Sequence, residues 1–240
     1  MTDTQKFPLK TSTSKSIKRR AKKVLDNHLS HGGSFEVEFF GKSITVHSGV
    51  LCPTYGEGSR MLGRCLTREE APHYITPEDV VLDMGTGTGA LAILAAQTAR
   101  RVVATDVREE SFQCALENVA RNQLSGKVDV KKGDLFLPLA VSEKFSLILF
   151  NAPFMDGAQK IPLDYAWFDP GHKVLDSFMN QVSNFLTPDG RILLAFSTAT
   201  SMSLFSSILA KSCFNWALVE KEHESGVTFF VVKLQRNLEK

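Results

Sequence analysis

The sequence predicts an α/β fold: a doubly wound, seven-stranded, mostly parallel sheet of the Rossmann-like kind. From residue 78 onward, seven strand-like apolar runs alternate with helical stretches. Strands that are separated by helices need crossover connections, and these produce a parallel sheet that is covered on both faces. A glycine-rich turn at residues 83–90 follows the first of these runs, and such turns are typical of the cofactor-binding edge of this kind of sheet.

A short extension is expected before the sheet, over residues 14–77. Between Ile17 and His28, the residues of one largely apolar stripe recur at helical spacing. They predict an amphipathic helix of about four turns. Alternating apolar residues on either side of Gly41 predict a β-hairpin. A second helix is expected over roughly 59–70, as a cap on the substrate side of the sheet. The polar residues 1–13 predict a flexible tail.

Residues 78–240 are expected to form the sheet and its helices. The predicted strands cover about 80–82, 102–105, 128–131, 145–150, 191–196, 216–220 and 228–234. The predicted helices cover about 89–99, 109–123, 172–186 and 201–212. Only a short polar stretch, 221–227, separates the last two strands, so these two are expected to pair antiparallel.

The composition is that of a folded globular protein. Of the 240 residues, 43% are hydrophobic and 22% are charged, which excludes collagen-like and disordered chains. No apolar run reaches the roughly 18–20 residues that span a bilayer, and the polar N-terminus lacks the apolar core of a signal peptide. We therefore expect a cytoplasmic protein without a membrane partner. The four cysteines are irregularly spaced, which favours reduced thiols over a metal site.

The formal charge of +2 hides an asymmetry along the chain. Residues 1–23 carry eight Lys or Arg and one Asp, whereas residues 24–240 carry 20 basic and 25 acidic side chains. Nucleic-acid enzymes usually carry a basic groove on the main domain, so a nucleic-acid partner is not expected here. The basic run over 18–23 is interpreted as the solvated face of a helix, with a nucleic-acid patch or a nuclear address as the alternatives.

The glycine-rich turn carries the strongest chemical signal. Its pattern is D-x-G-x-G-x-G, and with Ala90 it also satisfies the tolerant dinucleotide pattern. The acidic residue favours a cationic ligand, because a carboxylate attracts sulfonium and ammonium groups and repels a phosphate. The pattern resembles motif I of class I S-adenosylmethionine (SAM) dependent methyltransferases. This resemblance implies that SAM is the cofactor and that the turn binds it through Asp83, Gly85, Thr86, Gly87 and Gly89.

Two further strand ends carry acidic residues. Asp106 ends the second strand, where a carboxylate can accept hydrogen bonds from both ribose hydroxyls of a nucleotide. A helix N-cap is the alternative role for this residue. The resemblance implies that Val107 also binds the cofactor. It further implies that Asp134 lies near the adenine amino group and that Leu135 packs on the adenine ring.

The second signature lies at the end of the fourth strand. Asn151-Ala152-Pro153-Phe154 resembles the N-P-P-Y motif of amino-methylating enzymes, such as the glutamine methyltransferases of peptide-chain release factors and the small-domain ribosomal RNA guanine methyltransferases. The resemblance implies two catalytic residues. Asn151, beside the cofactor, and the next carbonyl would accept hydrogen bonds from the target nitrogen, and Phe154 would pack on a planar acceptor. Ala152 and Phe154 depart from the motif, and an Asx-turn is the alternative.

The substrate side offers several aromatic residues. The candidates for substrate binding are Tyr55, Tyr165, Trp167 and Phe168. The loop over 154–170 could hold a cationic amine by cation–π contact, and packing of this loop on the sheet is the alternative. The helical substrate-recruiting domain of the resembled enzymes is reduced here to one short helix, so a small-molecule partner is expected rather than a release factor. Self-association as a homo-oligomer is left open.

These features together predict a SAM-dependent transferase that methylates a nitrogen of a small-molecule amine or amide. Two alternatives remain. A cyclase could use SAM itself as the substrate and release methylthioadenosine, as in closure of the azetidine amino acid ring. A SAM-binding module would have no catalytic activity.

Overall fold

The computed structural model describes residues 11–237, and the chain before the main sheet forms two helices and a hairpin. These elements are α1 (Ser14–Leu29), β1 (Phe35–Phe39), β2 (Lys42–Val46) and α2 (Glu57–Thr67). Helix α2 ends before the predicted residue 70, because the backbone of Arg68 is extended, with a ψ of 122°. Of the tail predicted over 1–13, residues 1–10 lie outside the described residues. The backbone N–H of Ser12 donates to the carbonyl of Thr198 (2.6 Å).

A seven-stranded sheet follows within the described residues, with four α-helices between its strands. The strands are β3 (Val80–Met84), β4 (Arg101–Asp106), β5 (Val128–Lys132), β6 (Phe145–Asn151), β7 (Leu186–Ser197), β8 (Phe214–Glu224) and β9 (Val227–Arg236). The helices are α3 (Ala90–Thr98), α4 (Glu109–Arg121), α5 (Lys173–Gln181) and α6 (Met202–Lys211). The strand order is β5-β4-β3-β6-β7-β9-β8. Neighbours from β5 to β7 pair in parallel, and β9 pairs antiparallel with β7 and β8. The predicted doubly wound, mostly parallel α/β fold is confirmed.

The sheet separates two hydrophobic cores. Successive side chains of a strand point to opposite faces. Val81 and Leu147 therefore belong to the core under α2, α3 and α4, and their neighbours Leu82 and Ile148 belong to the core under α5 and α6. All four side chains are fully buried. Burial of each one contributes about 1.5–3 kcal/mol to the stability of the fold. Burial on both faces explains why these strands are continuous apolar runs in the sequence.

Within residues 11–237, no helix is both long and apolar enough to cross a membrane. The same residues contain no group of three or more His, Cys, Asp or Glu side chains placed to hold a metal ion. The cytoplasmic location stays a prediction from the sequence.

Helix α1 is attached to the rest of the protein by its inner face. His28 is buried there, and its Nε2 atom accepts a hydrogen bond from the backbone N–H of Cys52 (2.9 Å). The imidazole also packs edge-on against the rings of Phe35 and Tyr55, with centroid distances of 5.7 and 5.3 Å. Burial lowers the pKa of His28 to about 4. The neutral imidazole is therefore the form that holds α1 in place.

We expect the protein to lose stability as the pH falls from about 6.5 towards 4. In this window the unfolded chain protonates His28 and the folded chain does not, so the free energy of unfolding decreases as the pH falls. The difference between the two pKa values corresponds to a loss of about 3 kcal/mol. Urea unfolding of the wild type and of His28→Gln across this pH range measures the loss. An equal pH dependence of the two proteins would contradict the prediction.

Candidate active site

A cavity of about 180 Å³ lies at the carboxyl ends of β3, β4, β5 and β6, and we call it the cofactor cavity. The predicted site residues that line it are Gly85, Thr86, Gly87, Asp106, Val107, Asp134, Leu135, Asn151 and Tyr165. These residues are far apart in the sequence. They meet because the carboxyl ends of parallel strands lie at one edge of the sheet, where doubly wound folds bind their ligands.

The turn between β3 and α3 requires glycine for its backbone conformation. Gly85, Gly87 and Gly89 have φ angles of 67°, 57° and 79°, in the left-handed region that costs other residues about 1–2 kcal/mol. Gly89 does not line the cofactor cavity. A Cβ atom at this position would lie 3.2 Å from Ala115 of α4. The first two glycines therefore present backbone to the cavity, whereas Gly89 allows α3 and α4 to pack closely.

Asp83 lies behind the turn and does not face the cofactor cavity. Its carboxylate is buried and accepts hydrogen bonds from the Thr86 hydroxyl (2.6 Å) and from the backbone N–H of Ala92 (3.1 Å). Burial raises the pKa of Asp83 to about 7. Asp83 shares with Val81 the face of β3 that α3 covers, so its side chain does not line the cofactor cavity. Asp83 instead ties the turn to α3. A direct contact of Asp83 with the cofactor stays a prediction.

Asp106 lines the cofactor cavity and accepts two backbone hydrogen bonds. Its Oδ1 accepts from the N–H of Arg108 (3.0 Å), and its Oδ2 accepts from the N–H of Gly87 (2.9 Å). Burial raises the pKa of Asp106, and these two hydrogen bonds act in the opposite direction. The side chain of Ser111 is a third hydrogen-bond partner. A carboxylate has about four acceptor sites, so Asp106 can still accept a hydrogen bond from a ribose hydroxyl.

The charges around the cofactor cavity suit a cationic ligand better than a dinucleotide. Asp106 and Asp134 are acidic, and Arg108 is the one Lys or Arg among the described lining residues. The guanidinium of Arg108 is already engaged, because it donates to the carbonyls of Gly49 (2.8 Å) and Pro162 (2.7 Å). A pyrophosphate would therefore meet no uncommitted cation among these residues. The two carboxylates give the cavity a negative potential, which attracts the positively charged SAM.

Replacing Asp106 by asparagine is expected to weaken SAM binding about tenfold. The substitution keeps the shape of the side chain and removes its charge, so the charge-assisted hydrogen bonds to the ribose lose about 1.5 kcal/mol. Calorimetric titration with SAM measures the change. Asp189→Asn, at an exposed position of β7, is the matched control. Unchanged SAM affinity in Asp106→Asn, or tighter binding of NAD than of SAM by the wild type, would refute this assignment.

A second cavity, of about 50 Å³, adjoins the first at Asn151, and we call it the acceptor cavity. Its walls are largely apolar and include Ile17, Val24, Tyr55, Phe154, Trp167 and Phe229. Leu51, Asn151 and Ala166 line both cavities. Asn151 therefore lies where the cofactor and acceptor cavities meet, at the end of β6.

The N-terminal turn of α2 holds the side chain of Asn151. Its Nδ2 group donates a hydrogen bond to the Ser59 hydroxyl (3.0 Å), so the carbonyl oxygen Oδ1 is the end of the amide left to accept. Gly58 packs against this amide. A Cβ atom on Gly58 would overlap Oδ1 and would lie 3.0 Å from Cγ of Asn151. Sequence reasoning missed Gly58 and Ser59, and the one available signal was the glycine-rich stretch before α2.

The loop after β6 places the predicted aromatic residues in different surroundings. The backbone N–H of Phe154 donates to the carbonyl of Trp167 (3.1 Å), and both of these residues line the acceptor cavity. Tyr165 lines the cofactor cavity instead. Phe168 lines neither: an isolated bridge joins its backbone to Met155, and a Cβ atom on Gly157 would lie 2.6 Å from its ring. Packing of the loop is thus the role that the structure offers Phe168.

A buried ion-pair network borders the acceptor cavity. Glu57 is 2% exposed and pairs with Arg20 and with Arg60 (2.6 Å). Arg20 also pairs with Glu224 (2.8 Å). The sequence interpretation placed the whole basic run on a solvated helix face, whereas the side chain of Arg20 is 11% exposed. The sequence did contain a signal that Arg20 faces inward. Arg20 lies three residues after Ile17, and residues three apart lie on the same side of a helix.

Comparison with known proteins identifies relatives over most of the chain. The family described as "Methyltransferase small domain" matches residues 42–227. The release factor glutamine methyltransferase of Deinococcus radiodurans is 34% identical over 206 residues, which cover 80% of this chain and 69% of that protein. The ribosomal protein uL3 glutamine methyltransferase of Bradyrhizobium diazoefficiens is 34% identical over 49% of this chain and 40% of its own length. The solved structure of the Thermus thermophilus 16S rRNA N2 G1207 methyltransferase with AdoMet and guanosine has a TM-score of 0.65 and 20% identity. The aligned region covers 85% of this chain and 50% of the 16S rRNA methyltransferase chain.

The expectation of a small-molecule partner, without nucleic acid, is wrong. These relatives are named for the glutamine of a release factor, for the glutamine of a ribosomal protein and for ribosomal RNA. The expectation rested on the small size of the N-terminal extension. That size says little about the substrate, because a small site can take a single side chain or base of a large molecule.

The family match includes every residue of the cofactor cavity, from Val50 to Val174. The described charges of that cavity fit SAM, and the similar structure of the 16S rRNA methyltransferase holds AdoMet. The chain therefore belongs to the methyltransferase small domain family, and it is an enzyme that uses SAM as its methyl donor.

Proposed function

We propose that the enzyme methylates the side-chain amide nitrogen of a glutamine in a protein. The observation that carries this proposal is the position of Asn151, a residue that lines both cavities and whose Oδ1 atom is left to accept a hydrogen bond. An amide NH2 in the acceptor cavity can donate to this oxygen. The names of the two glutamine methyltransferase relatives support the same acceptor class.

The dimensions of the acceptor cavity favour an amide over a nucleobase. Its volume of about 50 Å³ is room for a few water molecules. A glutamine side chain is a single unbranched chain that ends in a planar amide, whereas a purine is a rigid fused ring. The slender group therefore needs less space between α1 and β9 than a purine does.

The residues around Asn151 position the acceptor and exclude water. When bound, SAM supplies an electrophilic methyl group on a sulfonium. Asn151 Oδ1 and the carbonyl of Ala152 would accept hydrogen bonds from the amide NH2 and hold its nitrogen towards the cofactor cavity. The ring of Phe154, which meets Phe229 edge-on at 6.4 Å, would cover one face of the amide. Such positioning is a large part of catalysis in two-substrate reactions.

The proposal is tested with isotope-labelled SAM and a cell extract. The extract is treated with ribonuclease or with protease, incubated with the enzyme, digested completely with enzymes and analysed by mass spectrometry. We expect labelled N-methylglutamine, which protease treatment abolishes and ribonuclease treatment leaves. Asn151→Ala is the inactive control. Label in nucleosides alone, methylthioadenosine formed from SAM without extract, or no turnover would each overturn the proposal.

A further inference from the structure

Helix α1 has an outer face that points away from the acceptor cavity. Exposed basic residues occupy it at helical spacing: Lys15, Lys18, Arg19, Lys22 and Lys23. We call this set the basic face. On the inner side of the same helix, Ile17, Arg20 and Val24 line the acceptor cavity. The basic face therefore lies about one helix diameter, roughly 10–12 Å, from the place where the acceptor binds.

The charges of the basic face destabilise the helix that carries them. Positions 15 and 19, and likewise 18 and 22, hold like charges four residues apart, which is unfavourable in a helix. The first turn of α1 contains no acidic residue, although this end of a helix favours negative charge. Among the residues that the structure describes, only Lys22 and Lys23 of the set have an acidic partner, Asp26 at 2.7 Å and Glu224 at 3.3 Å. An external polyanion would relieve this repulsion.

The composition of the basic face fits RNA better than a protein surface. Over residues 15–23, helix α1 exposes no apolar or aromatic side chain, whereas the cores of protein–protein interfaces are enriched in aromatic residues and depleted of lysine. A nucleic-acid strand carries a negative phosphate at every nucleotide, and lysine and arginine neutralise these charges. Residues 24–240 have 20 basic against 25 acidic side chains. The excess positive charge of the chain is thus concentrated on α1 and the residues before it.

We propose that the basic face of α1 binds the phosphate backbone of RNA beside the acceptor cavity. This inference goes beyond the proposed function and does not rest on it, because it concerns the outer face of α1 and none of the reacting groups.

The test measures binding of a fluorescein-labelled oligouridine RNA to the full-length protein by fluorescence anisotropy. The triple variant Lys15→Gln/Lys18→Gln/Arg19→Gln removes three charges from the basic face. The matched triple variant Arg100→Gln/Lys127→Gln/Lys211→Gln removes three charges just before β4, β5 and β8, at the opposite edge of the sheet. We expect only the first triple variant to bind the oligouridine at least about tenfold more weakly than the wild type at low salt. Its slope of log affinity against log salt should also be shallower by about 2, since each single-strand phosphate contact contributes about 0.7.

Charge and fold are controlled separately. Lys15→Arg/Lys18→Arg keeps both charges and should bind the oligouridine like the wild type. SAM affinity should be unchanged in every variant, because none of the substituted residues lines the cofactor cavity. Three results would overturn the proposal: no binding by the wild type at low salt, equal losses in the two glutamine triples, or tighter binding of polyglutamate than of oligouridine. Binding is measured without an acceptor, so failure here leaves glutamine methylation to be judged by its own experiment.

Discussion

Replacing Asn151 by alanine is expected to lower turnover about 10²–10³-fold and to leave SAM affinity nearly unchanged. The amide oxygen of Asn151 would accept a hydrogen bond from the reacting nitrogen, and alanine leaves nothing in its place. The glycine turn and Asp106 are the residues that we expect to contribute most to SAM binding, and the substitution does not touch them. Single-turnover kinetics and calorimetric titration with SAM separate the two effects. Asn180→Ala, at an exposed position of α5, is the matched control.

Ser59 tests whether the orientation of the Asn151 amide matters. Ser59→Ala removes the acceptor of the Nδ2 hydrogen bond (3.0 Å), so the amide is free to turn, and we expect about a tenfold loss of turnover. Ser59→Thr keeps a hydroxyl and should retain most of the activity. In the Asn151→Ala background, Ser59→Ala should have no further effect. Wild-type turnover in both alanine variants would move the catalytic centre to the loop over 154–172.

Gly58→Ala is expected to abolish activity nearly as completely as Asn151→Ala while the protein stays folded. The new methyl group would overlap Oδ1 of Asn151 and would lie 3.3 Å from Cβ of Ala195, so the amide has to turn away from the acceptor cavity. Gly58 lies in α2, and alanine is favoured over glycine in a helix by up to about 1 kcal/mol. Stability should therefore change little. Turnover and thermal unfolding of the same preparation measure both effects.

The control for Gly58→Ala is an alanine substitution where space is open. A Cβ atom on Gly126 would have no neighbouring atom within 4 Å, so Gly126→Ala should keep wild-type turnover. The double variant Gly58→Ala/Asn151→Ala should be no less active than Asn151→Ala alone, because both changes act on the same amide. Full activity in Gly58→Ala would show that the orientation of Asn151 has no part in catalysis.

The order of the strands along the chain, and the residues that end them, could be predicted from local patterns. Buried parallel strands require continuous apolar runs, as at 145–150, and such runs stand out between helical stretches. Asp106 and Asn151 end two of these runs. The topology of the fold then brings both to one edge of the sheet. The roles of Trp167 and Phe168 could not be separated in this way, because adjacent aromatic residues of a loop look alike until the loop is folded.

The sequence by itself determined the fold class, the glycine turn and the candidate residues at the strand ends, because each depends on residues close together in the chain. Only the tertiary structure decided where the side chains point. Asp83 faces α3 because the helix covers that side of β3, and Arg20 faces inward because Glu57 and Glu224 meet it there. Ser59 and Asn151 are 92 residues apart. Their contact depends on how α2 packs against β6, and no local pattern in the sequence encodes that packing.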